Sequence, residues 1–191
     1  KESLKDFYDM YPEKFNNKTN GITQRRWLGL CNPELANYIT ERIGGGWITD
    51  LEQLKGLKAH MTDADVDAFI EVKREKKRQL RKIIFEREGV DLPESFCFDV
   101  QVKRMHEYKR QLLNALAILD LYFGIKDGRI KNFTPTAFIF GAKAAPGYLR
   151  AKAVIKFINE IAKRINSDPE VKDLMRVVFV QNYNCSYAEH I

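Results

Sequence analysis

The stretch FCFDVQVKRMHEYKRQLLNAL, residues 96–116, decides the fold class of this chain. Its first half alternates apolar and polar side chains, a period of two that predicts a strand over 96–103. The apolar residues that follow recur at three- and four-residue spacing, which predicts a helix over about 109–124 with one apolar face. The residues of that face are Leu112, Leu113, Leu116, Ile118 and Leu119. A strand that leads into a helix indicates a βα unit.

Four cations and a histidine lie in KRMHEYKR, residues 103–110, between this strand and this helix. Helix N-termini leave N–H groups unpaired, and open α/β sheets bind ligands beyond the carboxyl ends of their strands. Lys103, Arg104 and Lys109 therefore predict an anion site, which we interpret as the phosphate pocket of an enzyme. His106 is a candidate catalytic base, although a single histidine is more often structural.

Two further strands follow, and they complete a doubly wound, Rossmann-like parallel sheet. TAFIFG, 136–141, is almost continuously apolar, as a strand covered on both faces should be, and 177–180 form the third strand. Pro146 and Gly147 are predicted to open the helix between them. Its apolar face is Ala153, Phe157, Ile161 and Ile165. The loop 141–147 has the small residues and the strand-to-helix position of an anion-binding loop, but it matches neither the dinucleotide nor the P-loop pattern. The plainer interpretation is a tight βα turn with Lys143 in solvent.

We predict three parts of the chain. They are an interdomain or active-site loop segment at 1–31, a helical segment at 32–92 and a partial Rossmann-like α/β domain at 93–191. Asn32-Pro33 is an N-cap with proline at the first helical position, and Asp50 is expected to cap a short helix. A long helix follows Thr62 and ends at Gly89. Residues 17–28 carry the turn residues of a loop.

Composition limits the function classes. The chain has 191 residues and a formal net charge of +6, a modest excess that suits anions without requiring nucleic acid. The long helix carries the most basic run, KREKKRQLRK, but interleaved glutamates favour a solvated face. The three cysteines are predicted to be reduced, buried thiols, no metal site is predicted, and no membrane span is expected. A cytoplasmic protein is therefore expected.

Four blocks of the sequence together resemble the α-glucan phosphorylases, the glycogen, starch and maltodextrin phosphorylase family. They are NKTNGITQRRWL at 17–28, DVQVKRMHEYKRQLLN at 99–114, GAKAAPGYLRAK at 141–152 and VVFVQNYNCSYAE at 177–189. The resemblance implies a two-domain GT-B glycosyltransferase, of which this chain would be a central piece that includes the start of the C-terminal domain. It also implies reversible phosphorolysis of α-1,4-glucans to glucose 1-phosphate.

The resemblance further implies pyridoxal 5′-phosphate, whose phosphate group takes part in catalysis and whose Schiff-base lysine would lie outside this chain. Arg104 and Lys109 then resemble ligands of the substrate phosphate. Asn20 resembles a residue that holds the glucosyl ring, and Tyr108 is assigned to substrate binding. Contacts with the cofactor are implied for Lys103, Trp27 and Tyr183. The chain by itself is expected to be inactive, and the full-length protein to be a homodimer.

Two departures from the family pattern and two alternatives remain. Gln24 stands where the family commonly has proline, and Asn184 replaces an arginine of the animal enzymes, which puts one cofactor or phosphate contact in doubt. A nucleotide-sugar-dependent GT-B glycosyltransferase would also need cations at a strand end. A basic α/β module that binds nucleic acid through 73–87 and 103–110 is the other alternative.

Overall fold

The computed structural model describes residues 2–18, 21 and 23–191. Its helices are α1 (Lys5–Met10), α2 (Pro33–Ile43), α3 (Asp63–Glu88), α4 (Gln111–Lys126), α5 (Leu149–Ser167) and α6 (Cys185–Ala188). The strands are β1 (Cys97–Val102), β2 (Thr136–Gly141) and β3 (Met175–Val180). A π-helix covers Arg25–Leu30, and 3₁₀ segments cover Pro12–Lys14, Gly45–Ile48, Leu51–Ala59 and Glu107–Lys109. None of the helices in these described ranges combines the length and apolar character that crossing a membrane requires.

The three strands form one parallel sheet in the order β1-β2-β3. At its carboxyl edge, Val102 of β1 pairs with Gly141 of β2, and Gly141 pairs with Val180 of β3. β2 lies in the centre, and every residue after Thr136 in it is buried. The predicted parallel α/β sheet, with TAFIFG as its covered strand, is confirmed.

The central strand is apolar on both sides because helices cover both faces of the sheet. Phe138 and Phe140 pack in one core with Ile118 of α4 and Ile158 of α5. The alternate side chains of β2, such as Ile139, pack in a second core. That second core also contains Leu80 and Ile84 of α3, Val178 and Val180 of β3, and Tyr187. Helices on both faces of a parallel sheet are the doubly wound arrangement predicted.

The apolar face predicted for α4 is wrong in most of its residues. Leu112, Leu113 and Leu116 are between 46% and 60% exposed, whereas Ile118 is buried and Leu119 is half-buried. The side chains that α4 buries are Gln111, Ala115, Ile118 and Tyr122, together with Gly124. The helix is apolar around most of its circumference, so periodicity does not define one face. Arg110, which precedes the helix, adopts a left-handed conformation with φ 62°.

The prediction for α5 is only partly correct. The helix begins at Leu149, because the chain at Pro146 and Gly147 first makes a turn in which the Tyr148 N–H donates to the Ala145 carbonyl at 2.9 Å. Ile161 and Ile165 are buried as predicted, but Phe157 is half-buried and Ala153 is exposed. Ala151, Ile158 and Ala162 complete the buried face.

The helix caps before the sheet agree with the sequence. The Asn32 side chain accepts from the Leu35 N–H at 3.1 Å, and Thr62 forms a reciprocal capping box with Asp65. Gly89 ends α3 at φ 70°, a conformation that costs glycine little. Asp50 does cap a helical segment, the 3₁₀ segment Leu51–Ala59. The predicted loop over 17–28 is helical from Arg25 onward.

Replacing Gly141 by alanine should destabilise the sheet at its carboxyl edge. A Cβ atom there would lie 2.9 Å from Val102 Cγ1 and 3.0 Å from Val180 Cγ2, and valine side chains have little rotamer freedom with which to yield. We expect Gly141→Ala to lower the free energy of unfolding by about 1–3 kcal/mol in urea denaturation. Gly147→Ala is the control, because nothing lies within 4 Å of its added Cβ. Equal effects would contradict the crowding.

Asp168 should make stability depend on pH in acid. Lys126 and Tyr122 donate to its Oδ2 at 2.8 and 2.7 Å, and these bonds lower the pKa of Asp168 to about 2. A depressed carboxyl pKa stabilises the fold at neutral pH, and that stability is lost as the pH falls from about 4, where the unfolded carboxyl titrates, toward 2. Asp168→Asn should flatten this fall in urea midpoints measured between pH 5 and 2.

The matched control for that measurement is Asp173→Asn. Asp173 is exposed, and within the described part of the chain it forms no ion pair. Its replacement should leave the pH dependence of the urea midpoint as in the unmodified protein. A wild-type pH profile for Asp168→Asn would show that the bonds from Lys126 and Tyr122 do not favour folding.

Candidate functional site

The cationic turn predicted between β1 and α4 is hydrogen-bonded to the end of β2. The Lys103 N–H donates to the Gly141 carbonyl at 3.0 Å, and the Met105 N–H donates to the Lys143 carbonyl at 3.1 Å. The parallel hydrogen bonding thus continues beyond the last residues of both strands. Residues 103–105 and 141–143 therefore leave the sheet side by side.

Gln111, the first residue of α4, holds this turn through hydrogen bonds from its buried side chain. Its side chain is only 2% exposed, and Nε2 donates to the Arg104 carbonyl at 3.0 Å and to the Lys103 carbonyl at 3.4 Å. These bonds satisfy carbonyl groups that the irregular backbone leaves without strand partners. Sequence reasoning missed Gln111. The available signal was a polar residue at the start of an otherwise apolar helix.

A cavity of about 600 Å³ opens at the ends of β1 and β2, and we call it the cation cavity. It is lined by Arg104, Met105, His106, Tyr108, Lys109, Lys143, Ala144, Ala145 and Tyr148. Four of the residues singled out in the sequence, Arg104, His106, Tyr108 and Lys109, are thus brought together. Lys103 lies on the same turn and is exposed, but it is not part of this lining.

His106 lies between two tyrosine rings. Its ring centroid is 4.5 Å from that of Tyr108 and 5.7 Å from that of Tyr148. Nδ1 accepts from the Tyr108 N–H at 3.4 Å and so caps the short 3₁₀ turn that follows. Nδ1 therefore has a structural contact, and Nε2 is the ring atom that a ligand in the cavity could use.

The carboxylate nearest this turn is already engaged. Glu107 accepts from the Tyr148 hydroxyl at 2.8 Å and from Arg150 Nη1 at 3.0 Å, and these two bonds lower its pKa. Across the described residues, Lys103, Arg104, Lys109 and Lys143 form no ion pair with any carboxylate. The cation cavity therefore carries a local excess of positive charge, which favours an anionic ligand.

The residues assigned to a cofactor are only partly brought together. Lys103 and Tyr183 both lie against Gly141: Lys103 through its N–H, and Tyr183 through Cδ2, which is 3.2 Å from the position of a Cβ on that glycine. Trp27 is 45% exposed on the π-helix. Its neighbour Arg26 pairs with Glu189, which ties the π-helix to the segment after β3.

Asn20 and Asn184 are the remaining positions that the sequence singled out. Asn20, assigned to the glucosyl ring, lies outside the described residues. Asn184 caps α6, where its Oδ1 accepts from the Tyr187 N–H at 3.0 Å. In the part of the chain that the structure describes, no group of three or more His, Cys, Asp or Glu side chains is arranged to hold a metal ion.

The sequence model of the carbohydrate phosphorylase family matches residues 1–191. The chain belongs to this family. It is 47% identical to the glycogen phosphorylase of Synechocystis over an alignment of 192 positions, which covers 98% of the chain and 22% of that relative. It is 50% identical to the brain-form glycogen phosphorylase of Rattus norvegicus and 48% identical to the glycogen phosphorylase of Bacillus subtilis. These two alignments cover 98% of the chain and 23% and 24% of the relatives.

The family assignment confirms the resemblance drawn from the four sequence blocks. The parallel sheet with helices on both faces agrees with the α/β fold that this resemblance implied. The phosphorylase chain described above spans less than a quarter of the length of these relatives.

Gln111 provides a test of how the cationic turn is held. Gln111→Leu keeps the approximate volume but removes the donors to two carbonyls, and each buried acceptor without a partner costs about 1–3 kcal/mol. We expect the free energy of unfolding to fall by that amount in urea denaturation, and phosphate binding by the full-length protein to weaken. Ala117→Gln, an exposed change on the same helix, should alter neither. Wild-type stability in Gln111→Leu would exclude a supporting role for the amide.

Proposed function

We propose that the full-length protein containing this chain catalyses reversible phosphorolysis of α-1,4-glucans, and that this chain supplies its phosphate-binding edge. One observation carries the proposal. Cations with no carboxylate partner among the described residues converge on a cavity at the carboxyl end of a parallel sheet, in a chain of the carbohydrate phosphorylase family. The relatives named above, all glycogen phosphorylases, support the reaction class.

Arg104 and Lys109 have different tasks in this proposal. The guanidinium of Arg104 can donate two parallel hydrogen bonds to phosphate oxygens and so orient the phosphate, whereas Lys109 supplies a compact point charge. In the reaction the glycosidic C–O bond breaks and a C–O bond to phosphate forms. The proton carried by the phosphate ends on the hydroxyl of the shortened glucan. Fixed cations stabilise the phosphate charge throughout without reorganising.

The described residues also fit a phosphate-bearing aromatic cofactor. Lys103 through its backbone N–H and Tyr183 through its ring both contact Gly141, so these two residues leave the strands on either side of β2 at one point of the sheet edge. We propose that they hold pyridoxal 5′-phosphate, with Trp27 as a third contact. When bound, this cofactor supplies a second phosphate group to the reaction. The role of Lys103 is then to fix and neutralise one phosphate while Arg104 and Lys109 hold the other.

The substrates follow from the same proposal: inorganic phosphate or glucose 1-phosphate, and an α-1,4-glucan. Asn20 and Tyr108 are proposed to bind the glucosyl unit, and Tyr108 lines the cation cavity with 71% of its surface exposed. His106 lines the same cavity and is proposed to act as the catalytic base through Nε2. A homodimeric, cytoplasmic full-length protein is part of this proposal.

The nucleic-acid alternative is less well supported. Its main feature was the basic run on α3, but cations of that run are ion-paired. Lys76 Nζ lies 3.0 Å from Glu34, Arg81 binds both oxygens of Asp91 at 2.6 and 2.9 Å, and Arg78 pairs with Glu75. Charges that are satisfied within the protein release fewer counterions from a phosphate backbone. The nucleotide-sugar alternative has no support among the relatives named above.

Arg104→Ala in the full-length protein is the direct test. Removing a bidentate, charge-assisted donor from a closed site costs on the order of 2–4 kcal/mol in the transition state. We therefore expect release of glucose 1-phosphate from maltoheptaose to fall at least about thirtyfold, since each 1.36 kcal/mol is a factor of ten. Cofactor content and fold should stay unchanged.

Arg74→Ala is the matched control for that test. Arg74 lies on α3 with its side chain 65% exposed, and its one ion pair, to Glu71, is 3.4 Å long. An exposed pair of this kind contributes little, so the rate should barely change. If Arg104→Ala and Arg74→Ala reduce the rate equally, the cationic turn is not the phosphate site. A wild-type protein that releases no glucose 1-phosphate would refute the proposed function altogether.

A further inference from the structure

Lys143 lies at the start of the loop after β2, where the sequence predicted a lysine in solvent. The structure places it on the wall of the cation cavity together with Arg104 and Lys109. Its carbonyl accepts from the Met105 N–H at 3.1 Å, and Val102 pairs with Gly141 two residues earlier. The same register, continued past the strand ends, sets Lys143 beside Arg104. Two cations from different strands are thus neighbours at the mouth of one cavity.

Such an arrangement is unfavourable by itself. Like charges on neighbouring segments of the chain repel each other. Within the described ranges, Lys143 forms no ion pair, and the carboxylate of Glu107 is bound by Tyr148 and Arg150. The repulsion between Lys143 and Arg104 is therefore not offset by the described residues of this chain. An anion between the two side chains would offset it.

The wall of the cation cavity next to Lys143 leaves room for an anion to approach closely. The next two residues, Ala144 and Ala145, also line the cavity, and their side chains end at Cβ. The backbone of the loop is fixed on one side by the bond to Met105 and on the other by the turn from Ala145 to Tyr148. Lys143 therefore extends from an anchored loop, and holding its ammonium near an anion costs only side-chain entropy.

We propose that Lys143 is a third cation of the phosphate site, which binds the inorganic phosphate substrate together with Arg104 and Lys109. This proposal rests on the proposed phosphorolytic function. Cations from two different loops then hold the phosphate: Arg104 and Lys109 follow β1, and Lys143 follows β2. Because the two loops are joined by backbone hydrogen bonds, the phosphate oxygens meet donors whose separation is set by the sheet.

The test uses Lys143→Met in the full-length protein, because methionine keeps a long flexible side chain and removes the charge. We expect the Kd for inorganic phosphate, measured by calorimetry, and the KM for phosphate to rise about tenfold or more. The KM for maltoheptaose should stay unchanged. Lys143→Arg should recover most of the phosphate affinity. Lys152→Met, an exposed lysine of α5 outside the cavity lining, is the control for net charge and should behave as the wild type.

The outcomes separate this proposal from the function on which it rests. Wild-type affinity for phosphate in Lys143→Met overturns the role of Lys143, whether or not the wild type turns over. A wild type that binds phosphate but forms no glucose 1-phosphate refutes phosphorolysis and leaves the binding result to decide on Lys143. The bound pyridoxal phosphate, measured by absorbance, should stay constant. A loss of cofactor with unchanged phosphate affinity would assign Lys143 to the cofactor phosphate and overturn the proposal.

Discussion

The close approach of three strand ends at Gly141 is the constraint on which the rest of the site depends. Valine side chains of β1 and β3 come within 2.9 and 3.0 Å of the place where a Cβ would stand on this residue. Because Gly141 has no Cβ atom, β1 and β2 can stay paired up to their last residues, Val102 and Gly141. Their exits then continue as hydrogen-bonded neighbours. Tyr183 closes the same point from the loop after β3.

The carboxyl edge of the sheet differs from the rest of this basic chain in how its cations are paired with carboxylates. Two unit charges 4 Å apart interact by about 4 kcal/mol at an effective dielectric constant near 20, so unpaired neighbouring cations are costly. Along α3 that cost is avoided, because arginines and lysines alternate with glutamates or reach carboxylates of neighbouring segments. At the exits of β1 and β2 the carboxylate of Glu107 is bound by Tyr148 and Arg150, and Arg104, Lys109 and Lys143 have no carboxylate partner among the described residues.

Rigidity around the cationic turn comes from groups that carry no charge. Gln111 holds two carbonyls of the turn from the buried side, and His106 caps the next turn while lying between two tyrosines. Charged side chains on an unsupported loop would lose conformational entropy on binding a ligand. Here a buried amide and three aromatic rings packed at an angle to one another restrict the backbone in advance. The cations can therefore act as fixed donors, as electrostatic stabilisation of a reacting phosphate requires.

The sequence by itself determined the parallel α/β fold, the helix caps at Asn32, Thr62 and Gly89, and the position of the cationic turn between β1 and α4; that this turn binds an anion stays a prediction. These depend on local signals, namely periodicity, capping chemistry and the junction of a strand with a helix. The family resemblance was also carried by contiguous blocks of residues. Each of these signals is contained in a short window of the chain.

Only the tertiary structure decided which side of α4 is buried and which residues share the cation cavity. A helix that is apolar on most sides has no preferred face in its sequence, and only packing against the side chains of β2 shows that Ala115 and Ile118 are buried rather than the leucines. Lys143 and Arg104 are neighbours because of the register between β1 and β2. In that register Val102 pairs with Gly141, which lies 39 residues further along the chain. Such a register joins residues that are distant in the chain, and no local pattern in the sequence contains it.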